Sequence, residues 1–210
     1  MFPGPEFLIA FTMAAALLTI TPGLDTALVL RTAASESPGH ALLAGIGIAM
    51  GCLGWGMIVA VGLGALLAAS ELAYTALRWV GAGYLFYLGW KLLRSPRRSL
   101  DLARLPGTRA NGLQWLGRGF LTNMLNPKVG VFYVSFLPQF IPQGADVMAS
   151  TVLLAAIHAT LGILWFIVLI AATRPLAGLL QRGSVLVWLD RLTGGIFVAF
   201  GVRLLASSSR

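Results

Sequence analysis

Six long apolar segments constrain the fold of this chain more than any other feature of its sequence. They cover about residues 7–30, 41–69, 73–93, 115–137, 148–172 and 184–206. A helix needs roughly 20 apolar residues to cross the hydrocarbon core of a bilayer, and each segment is long enough. Polar and apolar residues do not alternate in them as they do in membrane barrel strands. The sequence therefore predicts an all-α membrane protein with six transmembrane helices in a single domain, 1–210.

The charged residues are few and lie mostly between the apolar segments. They make up 10% of the chain, whereas soluble domains carry about 25%. Most of the Lys and Arg residues, which give a net charge of +8, fall in or beside the loops 31–40, 94–114 and 173–183. Short loops rich in Lys and Arg stay in the cytoplasm. We therefore expect the basic central loop 94–114 to be cytoplasmic and both termini to be outside, and we expect no binding of nucleic acid.

The first segment is interrupted near its centre by Thr21-Pro22-Gly23-Leu24-Asp25. Proline removes a backbone donor and clashes with the preceding turn, and a carboxylate at membrane depth costs about 2.5 kcal/mol or more. We expect Thr21 to cap a second half-helix that begins at Pro22, with Asp25 in its first turn. The free N–H groups of such a helix end suit an anionic group. A simple proline kink is the alternative.

A similar interruption, Asn126-Pro127-Lys128, lies in the fourth segment. We expect Asn126 to cap a half-helix that starts at Pro127, which puts Lys128 where the helix dipole disfavours a cation. Lys128 then needs a counter-charge, and Asp25 is the acidic residue that we place at similar depth. The sequence predicts that the two side chains approach each other, directly or through water. A buried ion pair that only locks the two halves together is the alternative.

An internal repeat relates the two halves of the chain. The third and sixth segments share an order of Arg, three Gly residues, a basic residue and Leu-Leu, over 78–93 and 191–205. The first and fourth segments share the proline break. Because each half holds three spans, the second half must enter the membrane from the opposite side, so the repeats are inverted. The predicted parts are the first repeat 1–93, the basic loop 94–114 and the second repeat 115–210.

Several small and polar residues within the segments have packing or binding roles in this prediction. Gly47, Gly51 and Gly54 form a stripe whose default role is close helix packing. Such stripes serve contacts between protomers as readily as contacts within one, so the prediction includes a homo-oligomer as an alternative. His158 is either a hydrogen-bonded packing residue or a proton carrier. With one Cys and two His residues, no spacing indicates a metal site, and no cofactor is expected.

The two interruptions carry a resemblance to a known family. The chain resembles the lysine exporter (LysE/RhtB) family of amino-acid export translocators in both interruptions and in the glycine-rich start of the second segment, 44–47. The stretch 119–128 and the Phe-Leu-Pro-Gln-Phe sequence at 136–140 are its most specific parts. The family often has a second proline where this chain has Leu24. The resemblance implies export of amino acids or close derivatives, coupled to the proton gradient by antiport, in the bacterial inner membrane.

We expect the substrate to bind at the membrane midplane, between the broken helices. Lys128 and the positive helix end would hold its carboxylate, and Asp25 its amine or a coupling proton. A passive channel or a structural membrane subunit is the alternative. An intramembrane enzyme is less favoured, because reactive groups within the spans are few. The residues expected to bind substrate or ions are Thr21, Pro22, Gly23, Asp25, Asn123, Asn126, Pro127, Lys128 and His158.

Overall fold

Helices account for the fold in every part of the chain that the structure describes. A computed structural model describes residues 3–69, 71–96, 111–142, 144–172 and 182–206, and no strand occurs in these ranges. A π-helical turn, Phe132–Phe136, and a 3-10 turn, Leu137–Phe140, lie between the sixth and seventh α-helices. The α-helices are α1 (Pro5–Ile20), α2 (Leu24–Ser35), α3 (Pro38–Ala69), α4 (Glu71–Arg94), α5 (Gly112–Met124), α6 (Pro127–Val131), α7 (Val147–Ala171) and α8 (Gly183–Ala206).

The helices confirm the all-α class, and some of them are long enough to span a membrane. Among the described residues, two single helices are long and apolar enough to cross a membrane, over Pro38–Gly62 and Val147–Ala171. The pair α1 and α2 also meets this requirement, with a bend of 52° at the break. Six complete spans remain a prediction. Most of the basic central loop, 97–110, lies outside the described residues.

The first predicted break is present between α1 and α2, but its caps differ from the prediction. Thr21 ends α1, because its backbone N–H and its hydroxyl both donate to Leu17 O. Gly23, in an extended conformation, is the N-cap of α2 and offers no side-chain cap. The prediction that Thr21 caps the second half-helix was therefore wrong. Its hydroxyl is turned back toward α1, and Pro22 stays outside the helix, so α2 begins at Leu24.

The second break, between α5 and α6, follows the predicted pattern. The Asn126 side-chain oxygen accepts a hydrogen bond from the Lys128 N–H at 3.1 Å, and Pro127 is the first residue of the helix. The cap works because Asn126 is in an extended conformation and its short side chain reaches the backbone N–H of Lys128 in the first turn. This half-helix is only five residues long.

A π-helical turn, which was not predicted, ends this half-helix. Phe132, Tyr133 and Phe136 in the turn are all buried. The Phe132 ring lies 5.8 Å from that of Phe11 on α1, and the Phe136 ring lies 5.0 Å from that of Phe140. The extra residue in a π turn changes which side chains share a face, and here it directs three bulky aromatic side chains into one core.

Glycines allow α3 to approach α5 closely. A Cβ at Gly47 would overlap the carbonyl oxygen of Leu116, and a Cβ at Gly51 would lie 2.7 Å from Asn123 Oδ1. Gly54 is less crowded, with 3.3 Å to the nearest side-chain atom. The glycine stripe on α3 therefore brings this helix against the segment that precedes the second break.

Glycines also join α4 to α8. A Cβ at Gly89 would lie 2.6 Å from Gly194 O, and a Cβ at Gly194 would lie 2.7 Å from Gly89 O. A Cβ at Gly201 would lie 3.1 Å from Ala82 O. The contacts pair position 89 with 194 and position 82 with 201, so the two helices run antiparallel. The neighbouring Gly195 has no described atom within 4 Å of an added Cβ.

We predict that Gly194→Ala destabilises the protein and that Gly195→Ala does not. The first substitution pushes two backbones apart, and overpacking of this kind costs about 1–3 kcal/mol. The second adds a methyl group where there is open space. Thermal unfolding of the two purified variants in detergent compares adjacent positions directly. Equal unfolding midpoints would contradict the close packing of α4 on α8.

Candidate functional site

Both helix breaks open onto one cavity. It contains about 490 Å³ free of protein atoms, a volume that includes its open mouth. Pro22 and Pro127 are not among the lining residues, but their neighbours in the sequence are. The other predicted binding residues all line the cavity, namely Thr21, Gly23, Asp25, Asn123, Asn126, Lys128 and His158.

Lys128 satisfies carbonyl groups that the first break leaves without a donor. In a continuous helix the N–H of residue 22 would donate to Leu18 O, but Pro22 has no N–H. Lys128 Nζ donates instead to Leu18 O at 3.0 Å and to Thr21 O at 2.8 Å. The ammonium thus lies at the C-terminal end of α1, where the helix dipole favours a positive charge. Backbone carbonyls therefore supply part of the negative counterpart that Lys128 needs.

Asp25, in the first turn of α2, is held by a residue from the second half of the chain. Its Oδ2 accepts a hydrogen bond from Asn123 Nδ2 at 2.8 Å, and the Asn126 amide lies near the same carboxylate. Asn123 is fully buried and also donates to Cys52 Sγ at 3.6 Å. Among the described residues, Asp25 Oδ1 is buried without a hydrogen-bond partner. One carboxylate oxygen is therefore hydrogen-bonded, and the other has no hydrogen-bond partner in the described ranges.

At the second break, too, a proline leaves one backbone carbonyl without its usual N–H donor. Pro127 lacks the N–H that would donate to Asn123 O in a continuous helix. The Asn126 N–H donates to this carbonyl at 3.0 Å, and Trp55 Nε1 on α3 reaches it at 3.4 Å. Gly130 leaves room for the indole ring, since a Cβ there would lie 2.8 Å from it. Both carbonyls that the prolines leave open are thus satisfied by other groups.

Asp25 and Lys128 line the same cavity. Lys128 Nζ lies 3.8 Å from the position of a Cβ added at Gly23, two residues before Asp25. Opposite charges in a medium of low dielectric constant attract each other strongly. This placement is compatible with the predicted approach of the two side chains, and their direct pairing remains a prediction.

His158 forms part of the cavity wall on α7 and is bonded to the π turn. Its Nδ1 lies 3.1 Å from the Tyr133 hydroxyl, and both side chains are buried. Its ring lies 5.2 Å from that of Phe132. Because Nδ1 is engaged, Nε2 is the ring nitrogen that remains for a group in the cavity. The histidine is hydrogen-bonded and packed, which is one of the two roles expected from the sequence, and a proton-carrying role remains a prediction.

Two polar residues of α8 were not among the predicted site residues. The Thr193 hydroxyl is hydrogen-bonded to that of Thr21. Since Thr21 donates its only hydroxyl hydrogen to Leu17 O, Thr193 is the donor. Asp190, one turn earlier, is fully buried and engaged by neighbouring groups. Asp25 is therefore not the only acidic residue buried within an apolar segment, and the position of Asp190 inside the sixth segment was the signal that could have revealed it.

Cys52 and Tyr133 were also missed. Cys52 lines the cavity next to Asn123, and its place in the glycine-rich second segment gave a weak signal. The partnership of Tyr133 with His158 had no signal in the sequence, because it depends on the π turn. No group of three or more His, Cys, Asp or Glu residues in the described ranges is placed to hold a metal ion.

A helical membrane protein that holds opposite charges around a cavity at two helix breaks has the construction of a membrane transporter. Comparison with known sequences agrees with this class. The profile of a family described as LysE type translocator matches residues 16–208. The chain belongs to this family, whose members are transporters and not enzymes.

Bacterial membrane proteins align with nearly the whole chain at modest identity. The uncharacterized membrane protein YrhP of Bacillus subtilis is 28% identical over 93% of this chain and 97% of its own length. The threonine efflux protein of Escherichia coli K12 is 28% identical over 90% and 92%. The homoserine/homoserine lactone efflux protein of Salmonella typhimurium is 27% identical over 97% of each chain. No solved structure gives a significant match.

We predict that Asn123 and Asp25 are coupled in stability. Removing the Asn123 amide leaves a buried carboxylate without its described donor, which costs about 1–3 kcal/mol. Asn123→Ala should therefore lower the unfolding midpoint clearly in the parent protein and much less in an Asp25→Ala background. A double-mutant cycle by thermal unfolding measures the difference. Additive losses would mean that this hydrogen bond contributes nothing to the fold.

Proposed function

We propose that this protein is a secondary active exporter of amino acids or their close derivatives across the bacterial inner membrane. In this proposal the substrate binds near the midplane, in the cavity between the two broken helices, and its export is coupled to the entry of protons. The observation that carries the proposal is the convergence of both breaks, with Asp25 and Lys128, on a single cavity. A structural subunit has no need of such a site.

The cavity has groups for both ends of an amino-acid zwitterion. Asp25 Oδ1, buried without a partner among the described residues, accepts the substrate ammonium. The N-terminus of α2 receives the carboxylate, because its N-cap Gly23 has no side chain to occupy the first N–H groups. Lys128 adds positive charge beside that helix end, at 3.8 Å from a Cβ placed on Gly23.

The relatives indicate which substrates to test first. Two of them are named for the efflux of threonine and of homoserine or its lactone. The two amino acids carry one positive and one negative charge at neutral pH. A zwitterion leaves the pair of Asp25 and Lys128 in balance, whereas a substrate with a second positive charge would need a further acid in the cavity. We therefore favour neutral amino acids.

Proton coupling is assigned to Asp25. One of its oxygens accepts a hydrogen bond from Asn123 at 2.8 Å, and the other, which has no partner among the described residues, is the one that we assign to the ligand. When the substrate ammonium leaves, this oxygen is free to take up a proton, and the next ammonium displaces that proton. Proton and substrate then alternate at one atom, which is the requirement for antiport.

The inverted repeat and the orientation belong to the same proposal. In the repeat, Gly81 and Gly89 correspond to Gly194 and Gly201. The contact of Gly89 with Gly194 then has a near counterpart in the contact of Gly201 with Ala82, the residue after Gly81. Inverted halves can rock around a central site and open it to either side. The loop 94–114 is placed in the cytoplasm and both termini outside.

We predict that Asp25→Asn abolishes export and leaves the protein folded in the membrane. The amide keeps the size of the side chain but can neither take up a proton nor balance an ammonium. Glu36→Gln, an exposed change at the end of α2, is the matched control and should transport normally. A growth-toxicity panel of amino acids in overexpressing cells first identifies the substrate.

Export of that substrate is then measured in reconstituted vesicles with an imposed pH gradient. Flux that saturates with substrate and follows the gradient distinguishes an exporter from a passive channel. Full transport by Asp25→Asn would contradict the proposed site.

The orientation gives a separate prediction. Cys52 is the only cysteine in the chain, so a Cys52→Ser background permits single-cysteine labelling. Gly107→Cys in the central loop should react with a membrane-impermeant maleimide only in inside-out vesicles. Arg210→Cys should react in right-side-out spheroplasts. Labelling with the opposite pattern would reverse the proposed topology.

A further inference from the structure

We propose that the Lys128 ammonium fills a cation site that the backbone of α1 forms at the first break. In this role a tethered side chain takes the place that a free monovalent cation would otherwise occupy. The inference goes beyond the proposed function, because it concerns what the broken helix itself binds. Only its consequence for ion coupling rests on the exporter assignment.

The site consists of two carbonyl oxygens that converge on one point. Leu18 O and Thr21 O lie 3.0 Å and 2.8 Å from Lys128 Nζ. Leu18 O is open because Pro22 has no N–H to give it. The Thr21 hydroxyl, which could otherwise cover this end of the helix, donates to Leu17 O and accepts from Thr193. The carbonyls at the end of the helix are thus left to an outside donor.

The position favours a positive charge for two further reasons. It lies at the C-terminal end of α1, the negative end of the helix dipole, and unwound carbonyls at such ends bind cations in membrane transporters. The Asp25 carboxylate lines the same cavity and makes its potential more negative. A small monovalent cation, such as Na⁺ or methylammonium, fits this chemistry once the lysine side chain is removed.

Two consequences follow. The parent protein needs no free alkali-metal ion at this position, so its transport should proceed equally in sodium and in choline salts. A variant without the lysine side chain should acquire a site for a small cation. If Lys128 served only as a ligand for the substrate carboxylate, added cations would have no site to fill and would restore nothing.

The direct test is thermal unfolding of purified Lys128→Ala in choline chloride, sodium chloride and methylammonium chloride at equal ionic strength. We expect sodium or methylammonium to raise its unfolding midpoint in a saturable way. Lys128→Met, whose side chain fills the space without a charge, should not respond. Neither should the parent protein or Lys91→Ala, which removes the other lysine of the chain at an exposed position on α4.

The absence of a saturable, cation-selective response in Lys128→Ala would overturn the proposal. If this variant does not accumulate in membranes, the same comparison on Lys128→Ser decides the question. Because the measurement needs no substrate, a positive result stands even if the proposed exporter function fails.

A transport measurement then tests the consequence for coupling. In choline, Lys128→Ala should lose about ten- to a hundredfold of its export rate, the equivalent of one charged hydrogen bond, and regain part of it in methylammonium. A sodium requirement of the parent protein would overturn the idea that Lys128 replaces the free cation.

Discussion

A proline inside a membrane helix leaves one carbonyl without its N–H, and the structure of this protein depends on how two such carbonyls are satisfied. In hydrocarbon each unsatisfied backbone group costs several kcal/mol. Leu18 O receives Lys128 Nζ, which comes from the other half of the chain. Asn123 O receives the Asn126 N–H and the Trp55 indole. The breaks are therefore stable because each is completed by groups from outside its own helix.

The same groups assemble the cavity. Lys128 reaches from α6 to the end of α1, and Asn123 reaches from α5 to Asp25 on α2. These two links place a carboxylate, an ammonium and neutral amides around one space. The zwitterionic substrate that we propose matches these two charges, and Asp25 Oδ1 has no hydrogen-bond partner among the described residues. Stability and the proposed transport therefore depend on the same few contacts, so substitutions here must be tested for folding as well as for flux.

The sequence predicted residues that line the cavity where the signal was chemical. Pro22, Pro127 and the charged Asp25 and Lys128 are recognisable in apolar segments, because each of them costs free energy at membrane depth. The prediction of Thr21 as an N-cap was wrong, since a threonine hydroxyl can bond either the helix before it or the helix after it. The hydrogen bond between His158 and Tyr133 depends on a π turn, and no local sequence pattern predicts that turn. Asp190 was missed although its position inside the sixth apolar segment was a signal of the same chemical kind.

Lys128 supplies to Leu18 O the hydrogen bond that Pro22 cannot donate. The most direct measurement is a double-mutant cycle of thermal unfolding with Lys128→Met and Pro22→Ala. Alanine at position 22 restores an N–H that can donate to Leu18 O. If Lys128 replaces this hydrogen bond, the destabilisation caused by Lys128→Met becomes clearly smaller in the Pro22→Ala background. An equal loss in both backgrounds would contradict this role and would show that the lysine stabilises the protein for some other reason.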